Sequence, residues 1–290
     1  MTDADTDFDR HEREMWAGRA AAYQGSFAPL CGAVGDQVLD LARVAGGKRM
    51  LDVGTGTGAL AVGAAALGAL VTAVDAEPSM VEAARLAVPG ADVRPAVLPD
   101  LPFAAGSFDA VTANFVLNHV GDPAASAREL VRVTAPGGHV AASVWPLPQP
   151  PLQAFWGEVV ADSGVTLPGA PPRLEAARDF PRTPAGLAAL LRGAGLEAVR
   201  VETVSWTHRF DPEAWWSGPA SGLGTLGALM RDLPAESVAR IRAAYDRAIA
   251  DLGDGLQTSA LLACGRRPRP VPLARAAQAT TRSRPARLAR

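Results

Sequence analysis

The chain has 290 residues, enough for one large domain or a core with a cap, and a hydrophobic content of 48%, ordinary for a soluble globular protein. A formal charge of -2 gives no reason to expect nucleic acid as a partner. Cys31 and Cys264 lie far apart and match no metal spacing, so no metal site is expected and a reducing, cytoplasmic setting is the default.

Asp3, Asp5, Asp7 and Asp9 precede any apolar run, the wrong charge for a signal peptide, and residues 1–9 are expected to be disordered. Apolar residues recur at helical spacing from His11 to Tyr23 and from Phe27 to Val44, which predicts two helices. Trp16 and Tyr23, seven apart, fall on one face of the first. Gly46-Gly47 ends the second. The longest apolar run, Ala59 to Val74, is rich in alanine and glycine and shorter than a membrane span, so it reads as a helix followed by a strand.

The stretch from Arg49 to Gly58, RMLDVGTGTG, reads as strand, tight turn and helix N-terminus. Its glycines let the backbone turn sharply and let a ligand approach closely, and the free N–H groups opening the helix favour an anionic or electron-rich ligand group. A second strand, Leu70 to Asp75, ends in a carboxylate about 20 residues on, where both hydroxyls of a ribose can be accepted. Gly54, Gly56 and Ala59 formally satisfy the dinucleotide pattern, and Asp75 would suit NAD. Asp52, inside the turn region, would repel a pyrophosphate and welcome an ammonium or sulfonium group.

Further on, Pro78 opens a helix running to about Val88, and strands are expected over Ala91–Val97 and Ser107–Asn114. Asn114 stands at a strand's carboxyl end, where ligands of open α/β sheets bind. Asp122-Pro123 caps a helix, and the turn Pro136-Gly137-Gly138 leads into a strand from His139 to Trp145. Prolines 146, 148, 150 and 151 then break the chain before a helix over Leu152–Ser163. Thr183-Pro184 opens a helix ending at Gly195, and strands follow over Leu196–Thr207 and Gln257–Cys264. Between those two strands lie Trp215, Trp216, a glycine-rich stretch and a helix from Pro234 to Leu252. The tail from Gly265 carries eight arginines and no acid, which reads as a solvated, disordered end.

Four blocks, LDVGTGTG at 51–58, AVDAEPSM at 73–80, LPFAAGSFDAVTANFVLNHV at 101–120 and ELVRVTAPGGHVAASVW at 129–145, resemble the class I S-adenosylmethionine-dependent methyltransferases. Within that class the chain is most similar to the small-molecule "type 11" or ubiquinone-methyltransferase-like group. The resemblance implies a Rossmann-like α/β fold: a seven-stranded, mostly parallel sheet with the last strand antiparallel and helices on both faces. It also implies S-adenosyl-L-methionine as cofactor, with Tyr23, Asp52, Gly54, Thr55, Gly56 and Asp75 around it and Asn114 toward its methionine end. Ala76 and Met80 match family positions that pack on the adenine.

In the family a Gly-Asp-Ala triplet precedes Leu-Pro-Phe, and its Asp accepts from the adenine amino group. Here the aligned residues are Ala96, Val97 and Leu98. Either Asp100 substitutes by a shifted loop, or backbone groups and apolar packing hold the adenine.

The expected organisation is a cofactor-binding core with cap helices over 10–145, a lid insertion over 146–183, core again over 184–210, a second lid insertion over 211–254, the last core strand over 255–267 and a basic tail over 268–290. Trp145, Trp156, Trp206, Trp215 and Trp216 lie in or beside the insertions, and such aromatic density suits a flat acceptor. The alternative is a lid core that needs bulk. The partner expected is a small-molecule methyl acceptor, with no nucleic acid or membrane, and the chain is expected to be a monomer or homodimer. His119 is the candidate general base, His208 a weaker second, although His119 could instead order the cofactor loop. Oxygen, nitrogen and carbon acceptors all stay open. An NAD-dependent oxidoreductase would share the start of the fold, but the Tyr-x-x-x-Lys pair is missing and Lys48 is the only lysine. A non-catalytic binding protein is the third reading.

Overall fold

The computed structural model describes residues 7–170, 172–250, 252, 253 and 255–270. Four short helices precede the first strand: α1 (Asp7–Trp16), α2 (Ala20–Gly25), α3 (Ala28–Gly32) and α4 (Gly35–Leu41). Two longer helices were expected. The chain turns at 17–19 and again at Ser26-Phe27, and Pro29 opens α3, where its missing N–H costs no hydrogen bond. The expected disorder over 1–9 is corrected at its end, because Asp7, Phe8 and Asp9 already belong to α1; residues 1–6 lie outside the described residues. Trp16 and Tyr23 do meet, edge to face with ring centroids 5.9 Å apart. The turn between α1 and α2 brings them together, not one helical face.

The core follows as β1 (Arg49–Val53), α5 (Ala59–Ala66), β2 (Leu70–Asp75), α6 (Pro78–Ala87), β3 (Asp92–Pro95), β4 (Phe108–Asn114), α7 (Pro123–Val133) and β5 (Thr134–Val144). After α8 (Pro151–Ser163) come α9 (Pro184–Gly193), β6 (Glu197–His208), α10 (Pro212–Ala220), α11 (Gly224–Met230), α12 (Ala235–Ala250) and β7 (Leu256–Arg266). The seven strands form one sheet in the order β3-β2-β1-β4-β5-β7-β6. The pairs β3–β2, β2–β1, β1–β4 and β4–β5 are parallel, and β7 is antiparallel to both its neighbours, as expected. The expected turn at 136–138 is absorbed into β5, whose pairing with β4 shifts register between Phe108 and Ala110.

Successive strand residues point to opposite faces, and the apolar clusters divide accordingly. Met50, Ala73 and Ala110 pack with Val38, Leu60, Ala61 and Val81 of α4, α5 and α6. Leu51, Val74 and Val111 pack with Leu130, Leu187 and Leu191 of α7 and α9 on the other face. Helices on both faces bury the central strands twice over, which explains why β1 and β4 read as near-continuous apolar runs. The order reverses between β1 and β4, the switch point where such sheets leave a crevice at their carboxyl ends.

A third apolar cluster stands beside that edge. Leu152, Phe155 and Val159 of α8, Trp215 and Trp216 of α10, and Ile241, Ala244 and Tyr245 of α12 form its buried centre. Trp145, after β5, and Trp206, on β6, pack against it from the sheet. No helix among the described residues is long and apolar enough to cross a membrane.

Candidate active site

A cavity of about 580 Å³ opens at the carboxyl ends of β1, β2 and β4, between the sheet, the N-terminal helices and the third cluster. Its floor is the turn after β1. Gly54 and Gly56 hold φ of +66° and +56°, values that side-chain-bearing residues rarely adopt. A Cβ on Gly54 would lie 2.4 Å from Val116 Cγ2, and one on Gly56 would lie 3.2 Å from Tyr23 Cε1. Both glycines therefore serve left-handed backbone and close approach together.

Asp52 does not reach the cavity wall. It is 2% exposed beneath the turn, where Thr55 Oγ1 donates to its Oδ2 (2.8 Å) and Thr112 Oγ1, from β4, donates to its Oδ1 (2.7 Å). Burial pushes its carboxyl up to about 6, against the pull of both hydroxyls. The expectation that Asp52 and Thr55 touch a ligand is corrected: both are buried under the turn and fasten it to β4.

Asp75, at the end of β2, does line the cavity. The N–H of Gly56 donates to its Oδ2 (2.8 Å) and that of Glu77 to its Oδ1 (3.0 Å), so the carboxylate is fixed across the turn. Burial raises its pKa, and those backbone bonds work in the opposite direction. Glu77 in turn accepts from the N–H of Gly18 (3.0 Å) and caps α6 by accepting from Met80 N (3.0 Å), tying the segment after α1 to this corner. Ala76, Met80, Val97 and Leu98 line the same end of the cavity. Asp100 does not, which removes it as the missing carboxylate. The residue after it is held by Glu129, whose Oε1 accepts from Leu101 N (2.8 Å) while Arg132 Nε pairs with Oε2 (2.6 Å). Burial opposes ionisation of Glu129, and the arginine outweighs it, holding that carboxyl below its usual range.

Asn114, also on the wall, is held through both halves of its amide: its Nδ2 donates to Cys31 O (3.0 Å), and its Oδ1 accepts from Ser143 Oγ (2.5 Å). The next residue, Phe115, holds φ of +56°, a strained value for a bulky side chain, of the kind found at functional sites. Its N–H donates to Ser143 O (3.0 Å), and its ring stacks on Trp145 with centroids 3.9 Å apart and planes 17° from parallel. Tyr23, whose hydroxyl bonds the Cys31 thiol, lies over Gly56. Burial pushes the Tyr23 phenol well up and the Cys31 thiol up to about 11, so both stay neutral at physiological pH.

His119, in the turn after β4, lines the cavity with its Nδ1 2.8 Å from Glu12 Oε2, on α1. Trp16 Nε1 donates to the same Glu12 oxygen (3.2 Å), and its ring meets the imidazole edge to face at 5.4 Å. Burial opposes the charge on Glu12, and the imidazole of His119 overcomes it, so that carboxyl sits below its ordinary value. Asp9 Oδ1 accepts from Gly121 N (2.7 Å), a second tie between α1 and this turn. Neither Glu12 nor Asp9 was singled out in the sequence; only the position of Glu12 one turn before Trp16 hinted at it.

Of the five tryptophans expected in an acceptor pocket, Trp145, Trp156 and Trp215 line the cavity. Trp206 and Trp216 do not, a correction: Trp206 packs against the third cluster from β6, and Trp216 lies between the Arg242 guanidinium, 5.2 Å from its ring, and Tyr245. Trp16 and Phe115 take their places on the wall. His208, the weaker base candidate, is buried against Phe210 and Trp215, away from the cavity, and burial lowers its pKa. Among the described residues, no group of His, Cys, Asp and Glu could hold a metal ion.

Residues 51–142 match the family model described as methyltransferase domain. A ubiquinone biosynthesis O-methyltransferase of Xanthomonas axonopodis pv. citri is 40% identical over 156 residues, 52% of this chain and 63% of that protein. A demethylmenaquinone methyltransferase of Clavibacter sepedonicus is 40% identical over 109 residues, 37% of this chain and 44% of that one. The chain thus spans less than two thirds of the length of these curated relatives. In fold it is similar to the YcgJ protein of Bacillus subtilis (TM-score 0.55, 19% identity, covering 82% of this chain and 99% of that one). It is similar also to the cyclase SpnF (TM-score 0.52, 24% identity, 82% of each chain). Residues 51–142 thus match a methyltransferase domain, and the strand order and the glycine turn facing Asp75 make the chain similar to the class I S-adenosylmethionine-dependent methyltransferases.

Proposed function

We propose that this chain transfers a methyl group from S-adenosyl-L-methionine to a small aromatic or cyclic metabolite, of the kind made in specialised metabolism. The observation that carries the reading is one cavity whose wall joins two unlike sets of residues: the glycine turn with Asp75, Ala76, Met80, Val97 and Leu98, and the rings of Trp16, Phe115, Trp145, Trp156 and Trp215. A volume of about 580 Å³ lies within the range of small-molecule sites. Two relatives are named as a ubiquinone biosynthesis O-methyltransferase and a demethylmenaquinone methyltransferase, in keeping with the aromatic part of the wall. The fold by itself does not choose the reaction, since a protein named as a cyclase shares it.

The residues present fit the cofactor that the family implies. Gly54 and Gly56 put left-handed backbone with no side chain of its own on the cavity wall, and Asp75 keeps lone pairs for ribose hydroxyls after accepting two N–H groups. Apolar packing by Ala76, Met80, Val97 and Leu98 would hold the adenine without a carboxylate, and Tyr23 and Asn114 would flank the methionine end. When bound, the cofactor supplies a methyl group made electrophilic by its sulfonium. The chain's part is to hold an acceptor atom in line with that methyl and to keep water out, so positioning carries much of the rate. Residues 146–183 and 211–254 act as a lid over the core, and His119 is placed to take a proton from the acceptor.

Isothermal calorimetry with S-adenosylhomocysteine, and with NADH as control, tests the reading. Binding of the homocysteine compound alone supports it. Binding of NADH alone would replace it with an oxidoreductase, and binding of neither would leave a fold without its cofactor.

A further inference from the structure

The cavity wall holds an imidazole and a carboxylate from opposite ends of the fold. His119 belongs to the turn after β4, Glu12 to α1, and 107 residues separate them along the chain. Their contact is short, Nδ1 to Oε2 at 2.8 Å, and sheltered, with the Glu12 side chain 12% exposed and that of His119 30%. Trp16 braces both partners, donating its Nε1 to Glu12 Oε2 and meeting the imidazole edge to face. The Asp9–Gly121 bond locks the same two segments together one turn earlier on α1. His119 N donates to Val116 O (2.8 Å), which fixes the backbone from which the ring projects.

A carboxylate only accepts hydrogen bonds. A neutral imidazole facing it must therefore carry its proton on Nδ1, which leaves Nε2 with a free lone pair. With Nδ1 turned to Glu12 and the ring on the cavity wall, Nε2 is the nitrogen available to a bound acceptor. Resting on the methyl-transfer reading above, we propose that Glu12 is a positioning residue that makes His119 a general base for an acceptor that gives up a proton on methylation, such as a ring hydroxyl. With a hydroxyl, the acceptor O–H bond breaks as Nε2–H forms. The oxygen's electron pair then makes the bond to the methyl carbon, while the electrons of the broken C–S bond remain on sulfur. His119 ends as imidazolium, its Nδ1–H now strengthened toward the Glu12 carboxylate, and returns its proton to water. A carbon nucleophile with no acidic proton would leave this pair without use.

The tautomer is directly measurable in the full chain without knowing the acceptor. With histidines labelled with 15N, long-range proton–nitrogen NMR of the neutral imidazole form reports which ring nitrogen is protonated. The chain has four histidines, and the signal missing from His119→Asn identifies the one concerned. The expected result is a His119 predominantly protonated on Nδ1, with that population falling to a minority in Glu12→Ala. Glu12→Gln, whose amide oxygen can still accept, should keep it in the majority and guards against an alanine variant that does not fold. A wild-type ring protonated on Nε2, or the same tautomer in Glu12→Ala as in wild type, would overturn the proposal. Calorimetry of the wild type with S-adenosylhomocysteine separates the two claims. Absence of binding refutes methyl transfer, whereas binding with the wrong tautomer refutes only the role of Glu12.

Discussion

Replacing Asp52 by asparagine should change how the stability of this chain depends on pH. The carboxyl is 2% exposed and takes both its hydrogen bonds from threonine hydroxyls, so no cation compensates it. Burial lifts its pKa from an ordinary 3.8 to about 6. Because the folded value lies above the unfolded one, its contribution is fully present below the unfolded pKa and is lost as pH rises through the folded pKa. At about 1.4 kcal/mol per pH unit, the complete loss amounts to about 3 kcal/mol. Between about pH 4.5 and about pH 7.5, roughly 2 kcal/mol of it should be seen.

Asparagine keeps an acceptor for one threonine and an amide for the other while carrying no charge. Urea unfolding of wild type and Asp52→Asn at those two pH values isolates the effect, since Glu12, Glu77, Asp109 and Glu129, whose pKa values are lowered and whose contributions have the opposite sign, are common to both. The variant should gain about 2 kcal/mol on the wild type as pH rises across the window. Parallel profiles would show that Asp52 is solvated or compensated, and would refute its placement beneath the turn.

Gly54→Ala places a Cβ 2.4 Å from Val116 Cγ2 at φ +66°. It should lower the melting temperature and weaken S-adenosylhomocysteine at least about tenfold by calorimetry, a loss of about 1.4 kcal/mol; wild-type affinity would remove the turn from the cofactor site. Asp75→Ala removes the carboxylate that spans Gly56 and Glu77. It should weaken the same ligand by about 1–3 kcal/mol, and unchanged affinity would reject the ribose role. Glu129→Ala leaves Leu101 N without its acceptor and Arg132 without its partner. A stability loss of about 1–3 kcal/mol in urea is expected, with weaker S-adenosylhomocysteine binding through the loosened Leu98 segment; a change under about 0.5 kcal/mol would mean that water replaces the carboxylate.

The core of this fold is written in local sequence. Apolar runs bounded by turns placed seven strands, capping residues such as Asp122 and Thr183 placed helix starts, and RMLDVGTGTG followed by Asp75 marked part of the cavity wall. These signals are legible because strand period, helix caps and glycine turns are decided within a few residues of themselves. What the sequence left open depends on distant partners. Asp52 looked like a ligand-facing carboxylate until Thr112, on the neighbouring strand, was seen to hold it under the turn. Asp100 was offered for the adenine, and the loop turned it away from the cavity. Five tryptophans looked alike, and packing against Tyr245 and Arg242, or from β6 against the third cluster, took two of them out of the wall. Trp16 and Glu12 entered because α1 folds back across the turn carrying His119. The local chemistry of each residue was fixed by its type, but its burial, charge state and partner were fixed only when separate segments met.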